Sequence, residues 1–171
     1  MMRALLLVTA LSACATAPAQ QRWTAPDAAF QLTIPAGWRS VEVGGLAEGT
    51  QLLLMPEAEG AQCYVDSRNR WESSLTQSEV NTHFAEGVLP NLIRAGATRL
   101  RFESAPVDGV HVITNAVLSP ETGARYIQRR FMITEAGHIS LYGIECRTDR
   151  QVSDVLVNDM DDFVLSLRFV R

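Results

Sequence analysis

Apolar and polar residues alternate over several short stretches of this chain, with the period of a half-buried β-strand. In FQLTIPAGW, residues 30–38, the apolar side chains of Phe30, Leu32 and Ile34 alternate with polar neighbours. Alternating or continuously apolar runs predict further strands at TQLLLMP (50–56), AQCYVDS (61–67), TRLRFES (98–104), VHVITNAVL (110–118), RYIQRRFMIT (125–134) and HISLYGIEC (138–146). Short turns join the last four of these segments, so we expect them to pair antiparallel.

A first amphipathic helix is predicted between the third and fourth of these strands. Thr76 and Glu79 have the spacing of a capping box, which marks its start. Its apolar face is formed by Val80, Phe84, Val88, Leu92 and Ile93. Pro90 is expected to kink the helix or to split off its last turn, and Gly96 is a suitable C-terminal cap.

A second helix is predicted near the C-terminus. It begins near Thr148 or Asp149 and ends near Ser166, which leaves LRFV as a tail. Its apolar residues at helical spacing are Val152, Val155, Leu156, Phe163, Val164 and Leu167. The whole order of strands, helix, strands and helix is typical of an α+β fold. It predicts one mainly antiparallel sheet of about six strands with two main helices packed on it.

The order of these elements resembles a known family. FQLTIPAGW near the start, a capped helix after the third strand, a meander and a last helix ending in LSLRF are similar to the PsbP-like α/β/α sandwich. That family includes photosystem II PsbP, the Ran-binding Mog proteins and many small bacterial envelope lipoproteins. The resemblance implies an accessory role in the envelope. It supplies no shared catalytic motif, so no catalytic residue is carried over.

The N-terminus has the layout of an export signal. Arg3 precedes a short apolar run at residues 4–11, which small residues follow. This run is much shorter than the roughly 20 residues needed to span a bilayer.

Two cleavage sites compete in this region. LSAC, residues 11–14, resembles the bacterial lipobox, which implies that a lipid is attached to Cys14. In this interpretation residues 1–13 are a lipoprotein signal peptide, 14–25 are a flexible tether rich in Ala, Pro, Thr and Gln, and 26–171 form one domain. The alternative is cleavage after Ala19, which gives a soluble periplasmic protein. We favour the lipoprotein on the periplasmic side of the envelope, and Ala15 after Cys14 resembles the outer-membrane sorting pattern.

Charge narrows the range of partners. After residue 13 the chain has 14 arginines, no lysine and 19 acidic residues, so its net charge is about −5. Nucleic acid is therefore not expected as a partner, because such binding depends on neutralising phosphates.

Two cysteines remain if Cys14 is acylated, Cys63 and Cys146. An exported protein meets an oxidising compartment, so a disulfide between them is expected. It would stabilise the fold by roughly 4 kcal/mol through the entropy of the unfolded chain. The alternative is two buried free thiols on neighbouring strands.

Arginines recur on two of the predicted strands. Arg125 and Arg129 share one face of a strand by alternation, and Arg99 and Arg101 share one face of an earlier strand. Together they would suit an anionic lipid, a glycan carboxylate or an acidic protein partner, because the guanidinium fork binds such groups. The favoured alternative is that they pair with glutamates such as Glu103 and Glu145.

Motifs of hydrolases and metal enzymes are absent from the sequence: it contains no G-x-S-x-G, H-E-x-x-H or C-x-x-C. His111 and His138 each start a strand and would bind zinc if Asp108 or Glu135 joined them, but two unrelated histidines are favoured. NDMDD, residues 158–162, is interpreted as a solvated helix face rather than a calcium loop. No catalytic residue, metal or cofactor is assigned.

The sequence thus favours a non-catalytic envelope lipoprotein that binds a protein or an envelope component. The alternative is a secreted periplasmic hydrolase with a site assembled from distant residues, so whether the chain is an enzyme stays open. A pocket that brings His111 or His138 within hydrogen-bond reach of a carboxylate and a serine would favour the hydrolase. A third option, a small-ligand carrier, requires an enclosed apolar pocket between helix and sheet.

Overall fold

A computed structural model of the chain describes residues 20–26, 29–41, 49–57, 60–87 and 97–170. Ten strands and two helices lie in these ranges. The strands are β1 Gln21–Thr24, β2 Phe30–Ile34, β3 Trp38–Val41, β4 Thr50–Pro56, β5 Ala61–Glu72, β6 Thr98–Val107, β7 Val110–Leu118, β8 Arg125–Glu135, β9 His138–Thr148 and β10 Arg168–Phe169; the helices are α1 Gln77–Gly87 and α2 Asp154–Leu165.

The described strands form two sheets rather than one. Seven strands make the central sheet in the order β3-β4-β5-β9-β8-β7-β6, with every neighbouring pair antiparallel. The other three make a second antiparallel sheet in the order β1-β2-β10. The expectation of one sheet of about six strands is therefore wrong in detail, although the α+β class and the antiparallel pairing are confirmed.

The two sheets separate within FQLTIPAGW. Phe30–Ile34 belongs to the small sheet, whereas Trp38 starts β3 of the central sheet. Between them the backbone N–H of Trp38 donates to the Pro35 carbonyl at 3.3 Å, and Gly37 has a φ of 79°. A side chain is disfavoured at that φ, so glycine permits the sharp turn that moves the chain from one sheet to the other.

The central sheet lies between other elements on both faces. α1 packs on β7 and β8, where the Gln77 amide nitrogen donates to the Met132 carbonyl at 2.9 Å. α2 packs on β8 and β9 from the other face, and the small sheet shares that face. In the core between them, the Phe30 ring lies 5.1 Å from that of Phe131 and 5.2 Å from that of Tyr142. These layers correspond to the predicted α/β/α sandwich.

The first helix begins as its capping box predicts. The Thr76 backbone N–H donates to Glu79 Oε2 at 2.8 Å, and the Glu79 backbone N–H donates back to Thr76 Oγ1 at 3.3 Å. Val80 and Phe84 are buried, as expected. The later part of the predicted helix, with Pro90 and Gly96, lies outside the described residues.

The second helix begins later than predicted. β9 continues through Thr148, and Ser153 provides the N-terminal cap by accepting a hydrogen bond from the Leu156 N–H at 3.3 Å. Val155 was predicted on the apolar, buried face of this helix, but its side chain is 70% exposed. The helix ends at Leu165, and the Ser166 backbone N–H donates to the Phe163 carbonyl at 3.2 Å, which agrees with the predicted end.

Both ends of the domain differ from the prediction. Gln21–Thr24 lies inside the predicted tether but is strand β1, paired with β2, and the Trp23 ring lies 5.8 Å from that of Phe30. The predicted tail contains β10, whose Phe169 pairs with Phe30 and lies 5.0 Å from the Phe131 ring. Aromatic burial thus orders two short segments that are too short to show a period.

Candidate functional site

The predicted arginines of β8 lie on the sheet face that α2 covers. The Arg125 Nη2 donates to Asp161 Oδ2 of α2 at 2.8 Å. Burial raises the pKa of Asp161, and the positive charge of Arg125 opposes that shift. One carboxylate of NDMDD therefore fastens the helix to the sheet, so this segment is not simply a solvated face.

Arg129 is more deeply placed, with 9% of its surface exposed. Its Nε donates to Thr114 Oγ1 at 3.1 Å, and its Nη1 donates to the Leu165 carbonyl at 3.2 Å. Burial lowers the pKa of Arg129; the charge of Glu103 opposes this, and Arg168 and Arg101 add to it. The cation thus satisfies a carbonyl at the negative end of the α2 dipole.

The prediction that Arg99 and Arg101 share one face of a strand is wrong. Arg99 lies opposite Val117 while Arg101 lies opposite Ala116, so the register shifts by one residue between them. This β-bulge puts the two arginines on opposite faces. Arg101 pairs with Glu103 at 3.2 Å, as the alternative proposed, whereas the Arg99 guanidinium lies 5.1 Å from the centre of the Phe102 ring.

The α2 side of the sheet therefore gathers three of the four predicted arginines. Arg168 of β10, in the small sheet, is near enough for its charge to lower the pKa of Arg129. Sequence reasoning missed Arg168 because the segment around it was interpreted as a tail. Each of these arginines already has a partner: besides the ion pair and hydrogen bonds above, Arg168 Nη1 donates to the Leu167 carbonyl at 2.7 Å.

The other face of the central sheet carries a network of tyrosines. The hydroxyls of Tyr64 and Tyr126 each contact a different oxygen of the Glu145 carboxylate. The Tyr126 hydroxyl also lies 2.6 Å from Gln128 Oε1, which accepts from Arg130 Nε at 3.1 Å. Burial raises the pKa of both tyrosines, and Glu145 raises it further. Both phenols are therefore neutral near pH 7, and Glu145 binds tyrosines rather than the arginines expected for it.

Next to this network the Asp66 carboxylate lies directly over Gly143. A Cβ at position 143 would collide with Asp66 Oδ1, so any larger residue there would displace the Asp66 carboxylate. The hollow between them has a volume of about 40 Å³ and is also lined by Arg130 and Glu145. This is room for about one water molecule, so the hollow is too small for an organic substrate.

The two histidines considered for zinc lie on separate strands, β7 and β9, with β8 between them. His111 Nε2 lies 2.7 Å from Ser104 Oγ at the protein surface, and the His111 backbone N–H donates to Asn81 Oδ1 at 3.0 Å. His138 Nδ1 lies 3.1 Å from the Ala136 carbonyl within its own turn. Within the described ranges, no three His, Cys, Asp or Glu side chains are grouped to hold a metal ion.

The predicted disulfide is present. Cys63 of β5 and Cys146 of β9 lie directly opposite each other, with a Cα to Cα distance of 4.0 Å, and both are fully buried. It connects two central strands that are 83 residues apart in sequence. Cys14, the predicted lipid attachment site, lies outside the described residues.

Two open hollows flank β2 where it meets the end of α2. One, of about 470 Å³, includes Asp159 and Asp162 of the helix; Asp159 Oδ2 accepts a hydrogen bond from the Trp38 indole at 3.3 Å. The other, of about 230 Å³, includes Arg22 and Arg168. No histidine or cysteine is among the described residues that line either hollow.

Comparison with known proteins identifies the fold. No protein-family model matches the sequence, and no curated protein matches it. Among solved structures, LpqN of Mycobacterium tuberculosis, described as involved in cell envelope biogenesis, superposes with a TM-score of 0.58 at 13% identity, covering 90% of this chain and 91% of LpqN. The cyanobacterial PsbP (CyanoP) of Synechocystis sp. PCC 6803 gives a TM-score of 0.52 at 17% identity, covering 92% and 96%.

The chain has a PsbP-like fold. The Ran-binding protein Mog1p of Saccharomyces cerevisiae is a further match, with a TM-score of 0.42 at 11% identity, covering 88% of this chain and 95% of Mog1p. LpqN and CyanoP confirm the predicted fold resemblance, and at their identities these two matches show the fold alone. Neither described helix has the length and apolar character required to cross a membrane.

Proposed function

We propose that this protein is an envelope lipoprotein, anchored through Cys14, that acts by binding a protein or another envelope component. The observation that carries the proposal is the buried Cys63–Cys146 disulfide, since such bonds persist in oxidising compartments outside the cytoplasm. The export layout and lipobox of residues 1–14 support it independently. The fold shared with LpqN, an envelope biogenesis protein, is consistent with the same compartment.

The chemistry of the polar clusters supports binding rather than catalysis. Glu145 is engaged by two neutral phenols, Asp161 by Arg125, and Arg129 by the end of α2. A general base needs an oxygen or nitrogen free to take a proton from substrate. These groups instead hold the elements of the fold in place.

Metabolic labelling with radioactive palmitate tests the anchor. The full chain is expected to be labelled and to partition with membranes, and Cys14→Ser is expected to lose both properties. The double variant Cys63→Ala/Cys146→Ala is the matched control and should keep its label. Unchanged labelling in Cys14→Ser contradicts the anchor. Crosslinking in cells followed by affinity capture of the labelled form then identifies the bound component.

A hydrolase is the second candidate, because Ser104 Oγ lies 2.7 Å from His111 Nε2, a distance suited to a nucleophile and its base. A screen of ester and amide substrates with purified protein tests it. The binding proposal expects Ser104→Ala and His111→Ala to behave like the wild type, as should the control His138→Ala. Hydrolysis lost in both Ser104→Ala and His111→Ala, but retained in His138→Ala, would support the hydrolase and overturn the first proposal.

A further inference from the structure

The small sheet turns a polar face to solvent. Arg22 of β1 lies opposite Thr33 of β2, and Arg168 of β10 lies opposite Gln31 of β2. Side chains alternate along a strand, so these four project to the same side. The other side carries apolar side chains such as Phe30, which is buried against the central sheet.

A hollow of about 230 Å³ lies on this face. Its described lining comprises Arg22, Gln31, Leu32, Thr33, Ser166 and Arg168. None of these is acidic, and both arginines are exposed. They flank β2 on its two sides, so their backbones are separated by two strand spacings, or roughly 10 Å. Two long guanidinium side chains can therefore converge on one anionic group between them.

The position of this face relative to the predicted lipid anchor indicates which ligand binds in the hollow. This step rests on the proposed function, since it requires a lipid on Cys14. Arg22 follows Cys14 by eight residues, which span at most about 28 Å when fully extended. The face is therefore tethered close to the bilayer surface. The mature chain carries a charge of about −5, so an acid-free cationic hollow at this place is unlike the protein as a whole.

We propose that Arg22 and Arg168 form a phosphate-binding site for the headgroups of anionic phospholipids, which holds the small sheet against the bilayer that carries the anchor. The Arg22 guanidinium and the Arg168 donors that are not bonded to the Leu167 carbonyl donate to phosphate oxygens, and the Gln31 and Thr33 side chains supply further donors. The neighbouring hollow with Asp159 and Asp162 repels the same headgroups, so the bilayer contact is confined to the arginine side.

Vesicle sedimentation tests this site without the acyl anchor. The mature chain from residue 14 with Cys14→Ser keeps every described residue and cannot be acylated. We expect it to bind vesicles of phosphatidylglycerol and phosphatidylethanolamine and not vesicles of phosphatidylcholine. Adding Arg22→Gln/Arg168→Gln should weaken binding by about 30-fold. Each of the two arginines contributes on the order of 1 kcal/mol at an anionic surface, which is about 5-fold in affinity. Arg99→Gln/Arg150→Gln removes the same charge elsewhere and should leave binding unchanged.

The remaining outcomes separate the sources of phosphate. Equal loss in both double variants, or equal binding to both vesicle types, overturns the proposal. The proposal is also overturned if calorimetry shows that inorganic phosphate binds, that Arg22→Gln/Arg168→Gln abolishes this binding, and that vesicles are not bound. The site would then bind free phosphate rather than lipid headgroups. Thermal unfolding of each variant verifies that the fold is retained. Palmitate labelling reports on Cys14 alone, so failure of the anchor and failure of the phosphate site are distinguished.

Discussion

At the residue scale, the two phenols that bind Glu145 link stability to alkaline pH. Burial and the carboxylate raise the pKa of Tyr64 and Tyr126 above the value of 10.0 that they have when exposed. The folded state therefore keeps both protons to higher pH than the unfolded state does. Their contribution to stability is complete below about pH 10 and is lost as the pH rises from there toward the folded pKa.

We predict that the free energy of unfolding falls as the pH rises above about 10, and that Tyr126→Phe makes this fall shallower. Phenylalanine cannot titrate, so one of the two raised pKa values no longer contributes. Urea unfolding followed at several alkaline pH values measures both slopes. Equal slopes for the wild type and Tyr126→Phe would contradict the linkage.

Gly143 gives a steric prediction at the same scale. The added methyl group of Gly143→Ala collides with the Asp66 carboxylate, so we expect a loss of about 1–3 kcal/mol in the free energy of unfolding. Asp66→Ala removes the colliding atoms. The loss in the double variant should therefore be smaller than the sum of the two single losses, which a double-mutant cycle in urea measures. Additive losses would show that the contact is not the cause.

At the element scale, the disulfide fastens β5 to β9 in the middle of the central sheet. A closed loop of this length should stabilise the oxidised chain by about 4 kcal/mol over Cys63→Ala/Cys146→Ala. Urea unfolding compares the two proteins, and thiol titration of the denatured wild type should detect neither of these cysteines. Equal stabilities, or two reactive thiols in protein purified without reductant, would refute the pairing.

The second prediction at the element scale concerns the short strand β10. Phe169 packs against Phe30 and Phe131, so Phe169→Ala should lower the free energy of unfolding by about 2 kcal/mol. The next residue, Val170, is 44% exposed, and Val170→Ala is the control, with an expected loss below about 0.5 kcal/mol. If Phe169→Ala and Val170→Ala have the same stability, β10 does not contribute to the core, and the sequence-based prediction of a tail is correct.

The elements that were predicted correctly are long enough to show a period. The apolar run VHVITNAVL located β7 at its observed bounds, and the capping box located the start of α1. β1 and β10 have four and two residues, so no period is visible in either; pairing with β2 and aromatic contacts hold them in place. The bulge between Arg99 and Arg101 shifts the register without changing the sequence pattern, so alternation alone could not detect it.

At the scale of the whole molecule, the candidate sites depend on partners that are distant in sequence. The sequence identified Arg125 and Arg129, but the partner of Arg125 is 36 residues away on α2. Glu145 was expected to bind arginines, and it binds two tyrosines from other strands instead. Composition predicted the net charge, whereas the separation of acidic and basic hollows around β2 depends on how the small sheet meets α2.

That separation of charge gives the last prediction, which rests on the proposed phosphate site. Asp162 is exposed in the acidic hollow beside the arginines, so Asp162→Asn should strengthen binding of the non-acylated mature chain to anionic vesicles by a few-fold. Asp149→Asn is the control: Asp149 is exposed beyond the opposite end of α2, a 12-residue helix that is roughly 18 Å long. Its charge lies beyond the screening length of about 10 Å at 0.1 M salt, so no change is expected. The gain from Asp162→Asn should also shrink as salt is raised toward 1 M. An equal gain in both variants would mean that vesicle binding depends only on the net charge of the protein. The proposal that the small sheet binds the headgroups would then be wrong.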